Sequence, residues 1–195
     1  MVARLQAADE SAFSELVRRN HAALVRFALV FLPNRALAEE AVQDAWAAVL
    51  DGLPSFEGRS SLRTWIFRIL ANRAKTRLIR ETRSVPFSAL KDYELDEPAV
   101  DPTRFSSNRG WAEPPAGGND DGPEKRLMHK EAIRCLEQAM QELPPNQRAV
   151  VTLRDVEGME SDEVCHVLGV GETNQRVLLH RGRSKLRRAL EVHLT

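Results

Sequence analysis

Apolar residues recur at helical spacing in two long stretches of the chain, and the rhythm is lost between them. In the first stretch Phe13, Leu16, Leu24, Phe27 and Phe31 form the apolar set of a helix that Asp9 or Ser11 can cap and that Pro33-Asn34 ends. A second helix fits Ala36–Leu50 and is closed by Gly52 and Pro54. Gly58 with Ser60-Ser61 marks a loop. A third helix runs from Leu62 to Arg80, with Trp65, Ile66, Ile69, Leu70 and Leu78 apolar. The second stretch predicts helices over Glu124–Glu142, Asn146–Val156, Ser161–Leu168 and Glu172–Leu190, with Pro144-Pro145 and Gly158 separating the first three. Between the two, residues 83–123 hold most of the prolines and the run Gly117-Gly118-Asn119-Asp120-Asp121-Gly122-Pro123. That composition reads as a mostly disordered, flexible acidic linker, since too little apolar surface is available to offset ordering. A structureless stretch of this length is unusual inside one domain. The expectation is an all-α fold of two small helical domains, 1–82 and 124–195, joined by the linker 83–123.

Composition supports helix over sheet. Hydrophobic residues make up 43% of the chain but aromatics only 6%, and Leu, Ala and Val dominate. Charge changes the picture more. Lys plus Arg and Asp plus Glu both total 28, so the net charge is zero, which by itself argues against a nucleic-acid binder. The charges are not mixed, however. Residues 36–57 carry five acids and no Lys or Arg, and residues 59–80 carry seven bases and no acid. Residues 81–123 hold nine acids against four bases, and residues 172–188 hold six bases against Glu172 alone. Local fields of this kind choose partners more than the sum does. Cys135 and Cys165 stand far apart with no CxxC, so a reduced, cytoplasmic protein is expected. The longest apolar run, around Ala22–Leu32, is broken by Arg26 and is too short to cross a bilayer, so no membrane insertion and no leader are expected.

Candidate chemistry lies in the two basic segments. Ser161 through Glu172 reads as a short helix, a glycine turn at Gly169 and a new helix start, with Ser161 as the expected N-cap. This is the helix-turn-helix pattern, whose second helix can enter a major groove. On that second helix Leu179, Gly182, Leu186 and Leu190 share one stripe, expected to face the core. Thr173, Arg176, His180, Arg183 and Arg187 share another, with Val177 at its edge for a thymine methyl. Arg can donate two bonds to guanine O6 and N7. A solvated basic face is the plain alternative, and the turn and cap weigh against it. The segment Phe56–Lys75 mixes aromatics with bases on a loop and the following helix, which suits single-stranded DNA. For Trp65 the spacing to Ile69 favours core packing over direct base contact.

No metal or cofactor is expected. The histidines His21, His129, His166, His180 and His193 are scattered, and Cys165-His166 has no partner at zinc spacing. Neither a glycine-rich phosphate loop nor a nucleophile elbow occurs, so the chain reads as non-enzymatic.

Three segments in register resemble the extracytoplasmic-function (ECF) sigma factors of bacterial RNA polymerase. They are Ala38–Trp46, Phe56–Asn72 with its Ser-Ser-Leu-Arg-Thr-Trp core, and Leu143–Gly158 followed by Leu168–Arg183. The resemblance implies that Glu39, Glu40, Gln43 and Asp44 dock on the polymerase clamp of the β′ subunit. An acid-only helix would suit a basic partner, although an ordinary solvated face would look the same. The resemblance further implies that Arg59, Ser60 and Ser61 line a pocket for a base flipped from the −10 non-template strand, and that Arg63, Trp65, Arg68, Asn72 and Lys75 belong to that surface. It implies −35 duplex reading by Thr173, Asn174, Arg176, Val177, His180 and Arg183, with Arg154 on a phosphate. Promoter DNA, the core polymerase including the β flap, and an anti-sigma factor are the implied partners. The second helix of the turn reads Glu172-Thr-Asn-Gln-Arg-Val-Leu-Leu where many members carry Gly-Thr-Val-Lys-Ser-Arg-Leu, so its base-reading side chains are this chain's own. The linker is also longer than the family leads one to expect. An operator-binding regulator and a non-DNA-binding interaction protein are the competing classes.

Overall fold

The computed structural model describes residues 1–82 and 123–194. The expected linker, Pro123 aside, lies outside the described residues. Among the described residues every regular element is helical.

The N-terminal block contains α1 (Val2–Gln6), α2 (Glu10–Ala28), α3 (Arg35–Gly52), a turn of 3-10 helix at Leu53–Ser55, and α4 (Leu62–Thr82). Asp9, not Ser11, caps α2: its carboxylate accepts from the Ala12 N–H at 3.0 Å. The Ser11 hydroxyl, the Ala12 N–H and Arg4 together hold the Asp9 carboxyl well below its usual range. Asn34 ends one helix in the sequence pattern and begins the next in the fold, accepting from the Leu37 N–H at 2.9 Å. Ala38, Ala41, Val42, Ala45 and Val49 of α3 are wholly buried. Small residues at this spacing let α2 and α4 approach closely. From those helices Leu24, Phe27, Ile66, Phe67, Leu70 and Ala74 fill the centre. The Phe27 and Phe67 rings stand 5.5 Å apart. Short α1 carries one buried side chain, Leu5, and no extended apolar rhythm, so the pattern did not predict it.

The C-terminal block contains α5 (Pro123–Glu142), α6 (Pro145–Val151), α7 (Ser161–Leu168) and α8 (Glu172–Leu194). After Val151, α6 widens into one turn of π-helix over Thr152–Val156. Its wide turn shows in the Glu157 N–H, which donates to the Thr152 carbonyl five residues back at 2.9 Å. Gly158, at φ +67°, then reverses the chain. Ala149, Val150, Leu153, Met159 and Val164 form the centre of this block.

The two blocks share one apolar core. They meet where α7 and the turn before it lie along α4. Arg148 adds a tie from α6, donating to the Val30 carbonyl at 2.6 Å.

Candidate nucleic-acid interface

The turn between α7 and α8 forms as the sequence predicts. Gly169 takes the left-handed conformation, φ +69° and ψ +39°, which disfavours any side chain there. The cap of α7 differs from expectation. Glu160 holds the cap position, and its N–H donates to the Glu163 carboxylate at 3.1 Å. Ser161 instead bonds the buried Gln175 side chain at 2.9 Å, which ties α7 to α8. A stronger long-range partner has displaced the local preference of serine for a cap.

Gly182 lies against α6, where a Cβ would stand 2.6 Å from Val151 Cγ2. With that stripe turned inward, Thr173, Asn174, Arg176, Val177, His180 and Arg183 all face solvent along one side of α8. Arg176 pairs with Glu172 at 3.3 Å. Arg183 is held by both oxygens of Asp155, at 2.5 and 3.0 Å, and that carboxylate raises the guanidinium pKa. Arg154 is turned instead toward the Met159 carbonyl and the Glu160 carboxylate, bracing the turn before α7.

A second surface surrounds the loop at 56–61. Ser61 caps α4, its hydroxyl accepting from the Thr64 N–H at 3.1 Å. Gly58 is left-handed at φ +72° and lets the loop double back. Loop and helix enclose an open cavity of about 530 Å³ lined by Phe56, Arg59, Ser60, Trp65, Arg68 and Asn72, with His166 of α7 on its rim. Trp65 is both packed and presented. Its ring lies 4.9 Å from Phe56 and touches Gly52, while its remaining edge forms cavity wall. Arg59 extends into solvent beside Glu57.

The other bases of this surface are engaged by the C-terminal block. Arg63 lies over the Phe67 ring, 5.3 Å from its centre, and donates to the Glu157 carbonyl and carboxylate, each at 2.7 Å. Arg68 meets His166 Nε2 at 2.8 Å. Lys75 reaches the Leu168 carbonyl at 3.1 Å, and burial pushes its ammonium pKa down. Ser61 and Thr64 donate to Glu163 at 2.9 and 2.5 Å.

On α3, Glu40, Gln43 and Asp44 are exposed and Glu39 half-buried. Glu39 pairs with Arg35 at 2.7 Å. Arg77 of α4 bridges Glu40 and Asp44, the latter at 2.8 Å. The acidic face is therefore partly neutralised within its own block.

Sequence reasoning did not single out Glu157, Glu163 or Thr64, and it weighed His166 only for zinc. Their partners lie some hundred residues away in the chain, so no local pattern marks them. Among the described residues no group of His, Cys, Asp and Glu could hold a metal ion, and no helix is long and apolar enough to cross a membrane.

Two family models match the chain: sigma-70 region 2 over residues 16–84 and sigma-70 region 4 over residues 133–186. Together they cover well over half of it. The chain is 26% identical over 191 residues to the RNA polymerase sigma-H factor of Pseudomonas aeruginosa, spanning 98% of this chain and 92% of that protein. It is 27% identical to the ECF RNA polymerase sigma-E factor of Escherichia coli, spanning 93% and 88%. Its fold is similar to that of the sigma factor RpoE of Bartonella quintana, solved in complex with the anti-sigma factor NepR. The TM-score is 0.61 at 21% identity, covering 93% of this chain and 98% of that one.

Proposed function

This chain belongs to the extracytoplasmic-function sigma factors of the sigma-70 family, and on that premise we propose how it divides promoter recognition between its two helical blocks. As a member it is a promoter-specific transcription initiation factor. In the proposed division α8 reads the −35 duplex, and the loop at 56–61 with α4 holds the melted −10 non-template strand.

The outward face of α8 carries this reading. Thr173, Asn174, Arg176, Val177, His180 and Arg183 are exposed on a helix whose inner stripe is closed by Gly182 and Gln175. A helix so presented offers bidentate arginine donors and an apolar edge to a major groove. The −10 surface adds a cavity large enough for one nucleobase, with Trp65 and Phe56 as apolar walls and Arg59, Arg68 and Asn72 as polar groups at its lining. Flipping a base into it costs a few kcal/mol of unstacking, and stacking and phosphate contacts offset this. That chemistry needs no catalytic residue and no cofactor. Arg154 would act on the −35 side by bracing the turn before α7.

Core polymerase is the proposed protein partner, with Glu39, Glu40, Gln43 and Asp44 of α3 on the β′ clamp and the C-terminal block on the β flap. An anti-sigma factor is proposed as a further partner, by extension from the Bartonella quintana complex. The proposed site of action is the cytoplasm, where core polymerase works.

Reconstituted transcription tests the reading. The chain is added to core polymerase and start sites are mapped on genomic DNA. A defined set of starts is expected, each with a shared upstream sequence, and absence of any run-off product would sink it. Arg176→Ala with Arg183→Ala should weaken −35 duplex binding by about 1–3 kcal/mol per lost base contact. If the chain bound duplex tightly without polymerase, an operator-binding regulator would be the better description.

A further inference from the structure

The face of α8 proposed to read duplex carries Arg176 and Arg183, and their acidic partners differ in kind. Arg176 reaches Glu172, one turn back on the same helix, through a single bond of 3.3 Å, with both side chains about two-thirds exposed. A pair of that kind is easily exchanged for DNA. Arg183 is held from another element. Asp155, on the π turn after α6, accepts from its Nε at 3.0 Å and its Nη2 at 2.5 Å, and the carboxylate is only 32% exposed. Two parallel bonds fix the plane of a guanidinium as well as its place. Two features bring the pair together. The π turn carries Asp155, and such wide turns gather at functional sites. Gly182, next to Arg183, lets the backbone of α8 close on Val151 just before that turn, where a Cβ would stand 2.6 Å from the valine Cγ2.

The atoms that Asp155 takes decide what is left. A guanidinium has donors along two edges. The Nε–Nη2 edge of Arg183 is occupied, and the Nη1–Nη2 edge stays available. That edge matches guanine O6 and N7, and it equally matches two phosphate oxygens. Charge separates the two ligands. A phosphate seated on Arg183 would face the Asp155 carboxylate across a single guanidinium, anion against anion. A guanine edge carries no net charge and meets no such opposition. An acid placed behind an arginine therefore disfavours one ligand more than it favours the other, which is how discrimination arises.

We propose that Asp155 is a positioning residue for duplex reading: it turns the outer edge of Arg183 toward a guanine and keeps that arginine from serving as a phosphate contact. The inference deepens the reading of α8 as the −35 helix and rests on it. Arg183 is then a base reader whose side chain is set before DNA arrives, so little rotamer freedom is lost on binding. Arg176, held only by an exposed neighbour on its own helix, lacks that advance placement.

The test uses the full chain bound to core polymerase and a library built on a mapped promoter with its −35 element randomised. Sequencing of the bound duplexes gives the base preference at each pair, and titrations at several salt concentrations give the electrostatic share of binding. The parent should favour guanine by about tenfold or more at the pair that Arg183→Lys relaxes, since lysine keeps the charge and loses the edge. Asp155→Asn should relax the same pair. Its log affinity should also fall more steeply with log salt, by about one phosphate, because the released guanidinium now takes one. Asp155→Glu keeps two acceptor oxygens and should recover part of the preference. Glu172→Gln removes an equal charge from α8 itself and should leave the preference at that pair as in the parent. A purely structural weakening would lower every preference together and would not steepen the salt dependence. The proposal is overturned if Asp155→Asn keeps the guanine preference, if it relaxes every pair alike, or if the base favoured there is not guanine. If neither Arg176→Ala nor Arg183→Lys changes the preference at any pair, α8 is not the −35 reader, and the failure belongs to that reading.

Discussion

Single residues set the balance where the two blocks meet and inside each of them. Glu163 accepts first from the Thr64 hydroxyl, then from the Glu160 N–H and the Ser61 hydroxyl, with the Arg63 charge nearby, and its carboxyl is held below the ordinary 4.5. A depressed carboxyl contributes stability that is fully present above its ordinary value and is lost as pH falls through the lowered one. Thr64→Val removes the largest cause. In a carbon-13 NMR titration the Glu163 midpoint should therefore rise toward 4.5, and an unmoved midpoint would deny Thr64 this role. Gly182 sets a second balance. Alanine there gains up to about 1 kcal/mol of helix propensity. Its Cβ would meet a stiff, buried valine methyl at 2.6 Å, and overpacking of that kind costs about 1–3 kcal/mol. The clash wins, so Gly182→Ala should lower the urea midpoint, and Val151→Ala should restore part of the loss. The position of Gly182 on the inner stripe was legible from helical spacing alone. The importance of Glu157 was not, because Arg63 and Arg26 lie 94 and 131 residues from it.

At the scale of elements the sequence pattern works where a helix buries one face and fails where a contact from elsewhere sets the detail. Ser161–Leu168 begins and ends as predicted, because the left-handed glycine fixes the end and the apolar rhythm fixes the body. Its cap was misread, since Ser161 is drawn to Gln175 on α8. The break at Pro33-Asn34 was legible, but α2 ends earlier, at Ala28, and the asparagine serves as the cap of α3. Asn34→Ala should cost about 1 kcal/mol by removing the acceptor for the Leu37 N–H. Thermal unfolding would register this, and an unchanged midpoint would mean that packing alone places the start of α3. On α8 the split between an inner stripe and an outer face follows from spacing. Which partner each outer arginine takes did not follow: Asp155, on the π turn, holds Arg183, while Arg176 pairs with Glu172.

For the whole molecule the charge pattern of the sequence takes on a second meaning. Alternating acidic and basic segments suggested separate partners, polymerase for one sign and DNA for the other. The fold shows that they also satisfy each other: Arg77 bridges Glu40 and Asp44, and Arg63 and Arg26 clamp Glu157. A zero net charge thus accompanies a proposed nucleic-acid interface several of whose cations are paired internally. Arg26 separates the two meanings cleanly. It lies on α2, outside both proposed DNA surfaces, and joins the blocks through Glu157. Arg26→Ala leaves Glu157 with Arg63 alone, weakening the contact between the blocks by on the order of 1 kcal/mol because Arg26 itself is about half exposed. The variant should therefore unfold at a lower urea concentration than the parent. Bound to polymerase it should start transcription at the same sites, because Arg26 belongs to neither proposed DNA surface. An unchanged urea midpoint would mean that Arg63 alone holds Glu157 and that the Arg26 contact adds nothing to the join between the blocks.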